Sequence, residues 1–589
     1  MSAEQGSPEP TQDQPERVAI GISFGNSNSS IAYTTAIEGK AEVIANEEGD
    51  RQIPSTLSYV NGEEFSGTQA KAQIVRNPRD TITSFRDFLG KTFEQIDPSP
   101  CHASAHPVSV NGGAGFVVQD HTEVKQPEKS TLSVSEVTTR HLRRLKQSAT
   151  DYLGKNVTAA VVTVPSDFSD EQKTALSASA QKAGIEVLQF IPEPIAALLA
   201  HDAKAQIAAE GGPASEHQDK IVLVADFGGT RSDVAVVASR GGMYTTLATS
   251  HDYRLGGSSL DKVLVEYAAK EFLKKHKTAK DPRETERSLS KLTLDAESVK
   301  KALSIGGSAS FSVESLIDGL DFNLTVNRTR YELLSNKIFM AFTRLVESAV
   351  QKADLDILDI DTILLSGGTS HTPKIASNLQ SHFPESTIII SPSTSSSAIN
   401  PSELSARGAA IQASLISEFE KEQIEESTEA VVTVTPHLHN AIGLVVAGGA
   451  AGKEEFSVLV EPETPVPVRR TAQLTVKDGG DVIIKLAEGG RSIVVSAAEK
   501  ATTNGAADSD DEDDDSDDEP EENRSKVWAT QKVIAEAGLR GVKKGGKIEV
   551  QVNVAADLSL TMVCREVGGK GGVRGVVQAA RVELNGNAA

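Results

Sequence analysis

Cysteine is scarce in this chain, with only Cys101 and Cys564 among 589 residues. Neither sits in a CxxC pair or a Cys/His cluster, so no metal signature of that kind is present. Two distant thiols also exclude a disulfide framework, as expected of a reducing compartment. Aromatic residues make up 4% of the chain, with one tryptophan. No apolar run approaches the length of a membrane-spanning helix. The opening segment, MSAEQGSPEPTQDQPER, lacks the pattern of a secretory signal or a transit peptide. These features together predict a cytoplasmic protein. Positive charge is short as well: 59 Lys and Arg face 82 Asp and Glu, a net charge of −23. That balance argues against extensive direct contact with nucleic acid or an anionic membrane.

The negative charge is concentrated. Residues 508–522 hold twelve acidic side chains and no basic one, leaving −11 of the −23 for the rest of the chain. Such a run repels itself and cannot be buried, which predicts a disordered loop. Residues 1–16 read as a disordered tail. At 589 residues the chain exceeds what one core supports, so two or more domains are expected. From Val18 to about Glu418, strand-like runs (Ala159–Val164, Ile221–Ala225, Ile363–Leu365) alternate with helical runs (Glu171–Ala183, Leu294–Ser304), the pattern of an α/β architecture. After Ala430 the texture changes to short β-branched runs separated by glycine-rich turns: Val431–Val434, Val458–Val460, Val482–Ile484, Ile493–Val495 and Ile548–Val554. That pattern predicts an all-β module.

One motif occurs twice. AIGISFGNSNSSIAY (19–33) and LVADFGGTRSDVAVV (223–237) each run from an apolar strand through a Gly/Ser/Thr turn into an alternating strand. Superposed, Ser23 meets Asp226, Gly25 meets Gly228, Ser27 meets Thr230 and Ser30 meets Asp233. Turns of this composition let several backbone N–H groups converge on one anion, and glycine lets a phosphate approach the main chain. Either copy alone is an ordinary hairpin; the pair predicts two loops facing each other across a polyphosphate. An acid at the strand end suits a magnesium ion held through water; Asp226 supplies one and Ser23 does not. No GxxxxGK[ST] motif occurs at either hairpin, against a P-loop. A third turn, LLSGGTSHTPKI (364–375), ends a strand in paired glycines that would admit an adenosine.

In this order the motifs resemble the seventy-kilodalton heat-shock (DnaK-type) chaperone family. VVTVPSDFSDEQKTAL (161–176), AGIEVLQFIPEPIAALLAH (183–201), LGGSSLD (255–261) and NPSELSARGAAIQASLI (400–416) carry the same resemblance. It implies an actin-like two-lobed ATPase domain over 17–417, a linker at 418–432, and a peptide-binding-like β-sandwich over 433–589 whose acidic loop spans 505–524. It also implies ATP as ligand. Gly25, Asn26, Ser27 and Asn28 would line one side of the phosphates, and Gly228, Gly229, Thr230 and Arg231 the other. Asp226, Asp233 and Glu193 would stand near a magnesium ion. Glu297, Lys300, Lys301 and Ser304 would face the adenosine from one helix, with Gly367, Gly368 and Thr369 opposite. By spacing alone, Glu297, Lys300 and Lys301 read as a solvated helix face, and Glu193 and Asp233 as capping carboxylates.

The departures from the family pattern concentrate near the γ-phosphate. Ser23 stands where active members carry Asp, Asn26-Ser27 where they carry Thr-Thr, Arg86 where they carry Lys, Arg231 where they carry Thr, and His371 where they carry Arg. The acidic, leucine-rich linker is absent around Thr428–Thr435, and no length remains for a helical lid. Within the family these features are most similar to the atypical fungal subunit of the ribosome-associated complex. That resemblance implies ATP binding without hydrolysis and a stable heterodimer with a zuotin-like J-domain protein. It also implies indirect contact with the ribosome and assistance to an active chaperone of the same family. A lidless sandwich would hold one fixed partner segment by strand addition. An active lidless ATPase and a nucleotide-exchange helper are the alternatives.

Overall fold

The computed structural model describes residues 17–577, apart from 36–39, 102–103, 120–128, 210–218, 397, 429–435, 448–453, 498–521 and 569–571. The run Val431–Val434 and most of the acidic loop therefore lie outside the described residues.

The repeated hairpin seeds two equivalent sheets. In the first lobe the strand Ala19–Phe24 pairs antiparallel with Asn28–Thr34 on one side and parallel with Ala159–Val164 on the other. Ala41–Ile44 and Glu186–Pro192 flank these. In the second lobe Lys220–Phe227 takes the central place, between Ser232–Arg240 and Thr362–Ser366. Met243–Asp252 and Ile388–Ile390 flank those in the same order. The duplication reaches single residues, since Ser23 faces Ser30 across the first hairpin and Asp226 faces Asp233 across the second. Ala159–Val164, Lys220–Phe227 and Ser232–Arg240 are buried along most or all of their length, as expected of sheets covered on both faces.

Two helices built largely from small residues join the lobes. Leu404–Ile416 sends Ala406, Ala409, Ala410 and Ala413 into first-lobe clusters and Leu404 into a second-lobe cluster. Glu193–Ala209 divides itself likewise, with Ala196 facing one way and Ala197, Leu198 and Ala200 the other. Their crossing is closed to the limit of backbone contact. A β-carbon on Gly408 would overlap the Ala196 carbonyl, and one on Gly21 would strike the backbone of Ala409 and Ala410.

Two places go beyond the sequence reading. Within 418–432, Lys421–Thr428 is a helix, and Ile424 is buried against Leu188, Ile191 and Ile416. One apolar side chain in a charged stretch is enough to dock a short helix once a neighbouring slot exists, which the local charge pattern conceals. In the β-module, Val482–Ile484 and Ile493–Val495 are parts of one strand, Gly480–Ala497, which runs through Gly489 and Gly490. It pairs with Glu522–Val542, so strand structure begins inside the 505–524 range. The glycines there make room for a neighbouring ring, because a β-carbon on Gly489 would strike Phe456.

The module contains two four-stranded sheets. Glu454–Val460, Ala441–Ala447, Gly480–Ala497 and Glu522–Val542 form one; Val468–Val476, Gly546–Val554, Leu560–Glu566 and Gly572–Val577 form the other. A shared core of Leu444, Leu486, Ile548, Val550, Val552 and Met562 lies between them. The long hairpin reaches the second lobe. Asp359, 2% exposed, contacts Arg491 and has its Oδ1 3.1 Å from Lys526 Nζ. These are close charge contacts, not aligned hydrogen bonds. Arg470 pairs with Asp219 at 2.7 Å, and Thr245 Oγ1 lies 3.0 Å from His437 Nε2.

Two outcomes are expected. Gly408→Ala should destabilise the lobes by about 1–3 kcal/mol through overpacking. Gly307→Ala, with open space around its β-carbon, should be nearly neutral. Equal urea midpoints for the two variants would contradict the close crossing. Asp359→Asn should leave Arg491 and Lys526 without their buried counterion. The environment of Trp528, whose ring lies beside Phe456 at 6.4 Å and under Lys526 Nζ, should then change. Unchanged tryptophan emission would show that this contact does not hold the hairpin.

Candidate functional site

The two hairpin turns meet. Asn26 Nδ2 donates to Thr230 Oγ1 at 3.0 Å, and a β-carbon on Gly229 would run into Ser27 Oγ. Each turn is braced from behind. Ser55 Oγ donates to the Gly25 carbonyl at 2.7 Å, and Thr369 Oγ1 to the Gly228 carbonyl at 2.7 Å. The Asn26 Oδ1 is buried and without a hydrogen-bond partner, a polar atom left over at the mouth of the turn.

Most of the residues assigned from sequence come together around this junction. Gly25, Asn26, Ser27 and Asn28 form the first turn, and Gly228, Gly229, Thr230 and Arg231 the second. Gly367, Gly368 and Thr369 close the strand Thr362–Ser366 beside it. The helix Glu286–Ile305 presents Glu297, Lys300, Lys301 and Ser304. Lys300 Nζ donates to the Gly257 carbonyl at 2.9 Å and pairs with Asp261 at 2.8 Å. Glu297 pairs with Lys301 at 2.7 Å and, across the lobes, with Lys71 at 2.6 Å. Burial alone would raise the Glu297 carboxyl; Lys71 and Lys301 outweigh it and hold it down at about 2. This part of the helix is thus a set of ion pairs, with Asp261 Oδ1 left buried and without a hydrogen-bond partner. His371 lies 3.0 Å from Asn400 Oδ1 and 3.3 Å from Ser402 Oγ.

The charged floor is where the structure adds most. Arg86, 3% exposed, donates to Glu193 at 3.2 Å and to the Phe24 carbonyl at 3.2 Å, and pairs with Asp87 at 2.8 Å. Arg231, 7% exposed, grips Asp233 with two nitrogens, at 2.8 and 2.5 Å. It reaches Asp167 of the first lobe at 2.6 Å. Tyr253 donates its hydroxyl to the same Asp167, and its ring lies 4.7 Å from the Arg231 guanidinium carbon. Asp226 accepts from Ser366 at 3.2 Å. Burial pushes Glu193 up to about 8 against the pull of Arg86, and burial together with Asp233 pushes Asp226 to about 6.

Sequence reasoning missed Asp87, Asp167, Tyr253, Lys71 and Asp261. Asp167 lies inside a segment that carries the family resemblance, yet nothing local marks it. Its role exists only because Arg231 and Tyr253, more than sixty residues away, arrive at its carboxylate.

A pH effect follows from Glu193. An unfolded glutamate releases its proton near the ordinary 4.5, while the folded one keeps it to about 8. Stability should therefore fall as pH rises between those values and level off above them. Glu193→Gln should flatten the upper part of that stretch, above the range where Asp226 titrates at about 6, in urea unfolding without nucleotide. An unchanged slope would assign it to another group.

The family model described as "Hsp70 protein" matches residues 19–499. The Saccharomyces cerevisiae protein named ribosome-associated complex subunit SSZ1 is 45% identical over 557 residues, covering 94% of this chain and 99% of that protein. The Schizosaccharomyces pombe heat shock protein 70 homolog C57A7.12 is 41% identical, covering 95% of each. Heat shock 70 kDa protein 14 of Danio rerio is 31% identical over 77% of this chain and 84% of its own length.

Proposed function

Because the chain belongs to the Hsp70 protein family, with its two-lobed actin-like ATPase domain, we propose that it binds ATP between the lobes without appreciable turnover. On this reading it is the regulatory subunit of a heterodimer with a zuotin-like J-domain protein. It works at the ribosome through that partner, assisting co-translational folding by an active chaperone of the same family. Residues 433–589 hold a fixed partner segment by strand addition. The budding-yeast relative, named as a subunit of a ribosome-associated complex and matched over nearly its whole length, supports the role.

The observation that carries the loss of hydrolysis is the state of the charged floor. Ser23 offers no carboxylate at the end of the first central strand. Arg86 and Arg231 are fixed on carboxylates, and a planar guanidinium cannot release a proton or stand in for a compact ammonium beside an attacking water. Each lost transition-state contact typically costs about a hundred- to a thousand-fold in rate. Backbone donors in the two turns and the adenosine-facing helix remain, so binding suffers less than turnover.

Nucleotide binding by calorimetry and single-turnover hydrolysis on the same sample, repeated with a J-domain protein added, test this. Binding without turnover above background, with or without the J-domain, is the expected result. Turnover stimulated by the J-domain would replace this reading with that of an active chaperone ATPase.

A further inference from the structure

Members of this family hold their nucleotide together with magnesium. A divalent ion held through its water shell needs carboxylate oxygens free to accept from those waters. The residues here do not fit that need. Both Asp233 oxygens are taken by Arg231, at 2.8 and 2.5 Å. Glu193 receives Arg86 at 3.2 Å. Asp226 keeps one oxygen beyond its bond from Ser366, and Ser23, its counterpart in the first hairpin, carries no charge. Among the described residues no group of three or more His, Cys, Asp and Glu side chains is disposed to hold a metal. A metal at this floor would also face two buried guanidinium groups.

Arg231 is not a loose surface cation. Its Nε and Nη2 are committed to Asp233 and Asp167, and its plane rests over Tyr253. Among the described residues its Nη1 makes no hydrogen bond, so one end of the fork stays available beside the second phosphate turn. Asp167 belongs to the first lobe, while Asp233 and Tyr253 belong to the second, so the same guanidinium ties the lobes together at the phosphate end. Guanidinium forks match phosphate oxygens in geometry and lose little solvation on burial.

We infer that the cleft takes its nucleoside triphosphate without a divalent metal, with the Arg231 guanidinium as resident cation at the phosphate end and, through Asp167, as a tie between the lobes there. This rests on the reading of the cleft as a nucleotide site. The two acids that Arg231 grips are what make it a cation in fixed position. Removing it would return those carboxylates to the floor and restore a demand for metal.

The test is calorimetric ATP binding to the full-length protein in magnesium chloride and, separately, in EDTA. The wild-type dissociation constant should agree between the two within about threefold. Arg231→Thr should bind at least about tenfold more weakly in EDTA than in magnesium. Asp167→Ala removes both acceptor oxygens and so cuts this tie between the lobes while leaving Arg231 on Asp233. It should speed ATP release about tenfold in stopped flow, equally in both buffers, and stands as the second measurement should Arg231→Thr fail to fold. A wild-type affinity that collapses in EDTA would overturn the inference while leaving ATP binding intact. Absence of binding in both buffers would remove it together with the nucleotide-site reading.

Discussion

Two helices crossing at backbone distance set everything else in the nucleotide lobes. Gly408 lies so close to the Ala196 carbonyl that no side chain fits between them, and Gly21 lies equally close to the same helix. Small residues along Leu404–Ile416 allow this, and they place one helix in contact with both lobes. Glu193 opens the other crossing helix. The crossing therefore fixes where that carboxylate meets Arg86, and it fixes how far apart the two hairpins stand. A contact between Asn26 and Thr230, side chains more than two hundred residues apart, requires that the lobes be held to within a fraction of an ångström. Apolar packing of small residues supplies that rigidity, because a close-packed core has few alternative arrangements.

On that frame the charged floor is a matter of geometry more than of stability. Two guanidinium groups are buried at the junction with Glu193 and Asp233, and the half-buried Asp87 and Asp167 complete their pairing. The desolvation of such ions offsets much of their attraction, so an apolar replacement of the same shape would be no less stable. What the pairs provide is position. Arg231 is oriented by Asp233, Asp167 and Tyr253 at once, and Arg86 by Asp87, Glu193 and the Phe24 carbonyl. Both guanidinium groups therefore stand at fixed positions on the floor of the cleft.

The two hairpins could be recognised in the sequence because each compresses its chemistry into fifteen consecutive residues. The turn, the flanking strands and the register that sets Asp226 opposite Asp233 all belong to one local unit. The strand Ala159–Val164 was legible for a similar reason, since an unbroken β-branched run buried on both faces has few other readings. The Asp167–Arg231–Tyr253 cluster was not legible. Its members come from three separate segments, and a lone aspartate in a loop carries no sign of its partner. The 18-residue strand Gly480–Ala497 was hidden for a different reason. Gly489 and Gly490 look like a turn, but the space they leave is filled by Phe456 and Gln531. The charged stretch 418–429 allowed a helix end and a linker, but the docking of Lys421–Thr428 was obscured because its buried anchor, Ile424, depends on a slot made by Leu188 and Ile191.

The same logic extends to the β-module. Its long hairpin is held to the second lobe by Asp359, a carboxylate with almost no exposure that faces two cations from the hairpin. Arg470 and His437 add contacts from other parts of the module. The short helix around Ile424 fastens the connecting segment to the first lobe. The chain is therefore tied across the cleft by Arg231 and by the Lys71–Glu297 pair, along the connection by Ile424, and between lobe and module by Asp359 and Arg470. Each tie is made between side chains of the chain itself, so the geometry of the nucleotide lobes and the placing of the β-module follow from the same few contacts.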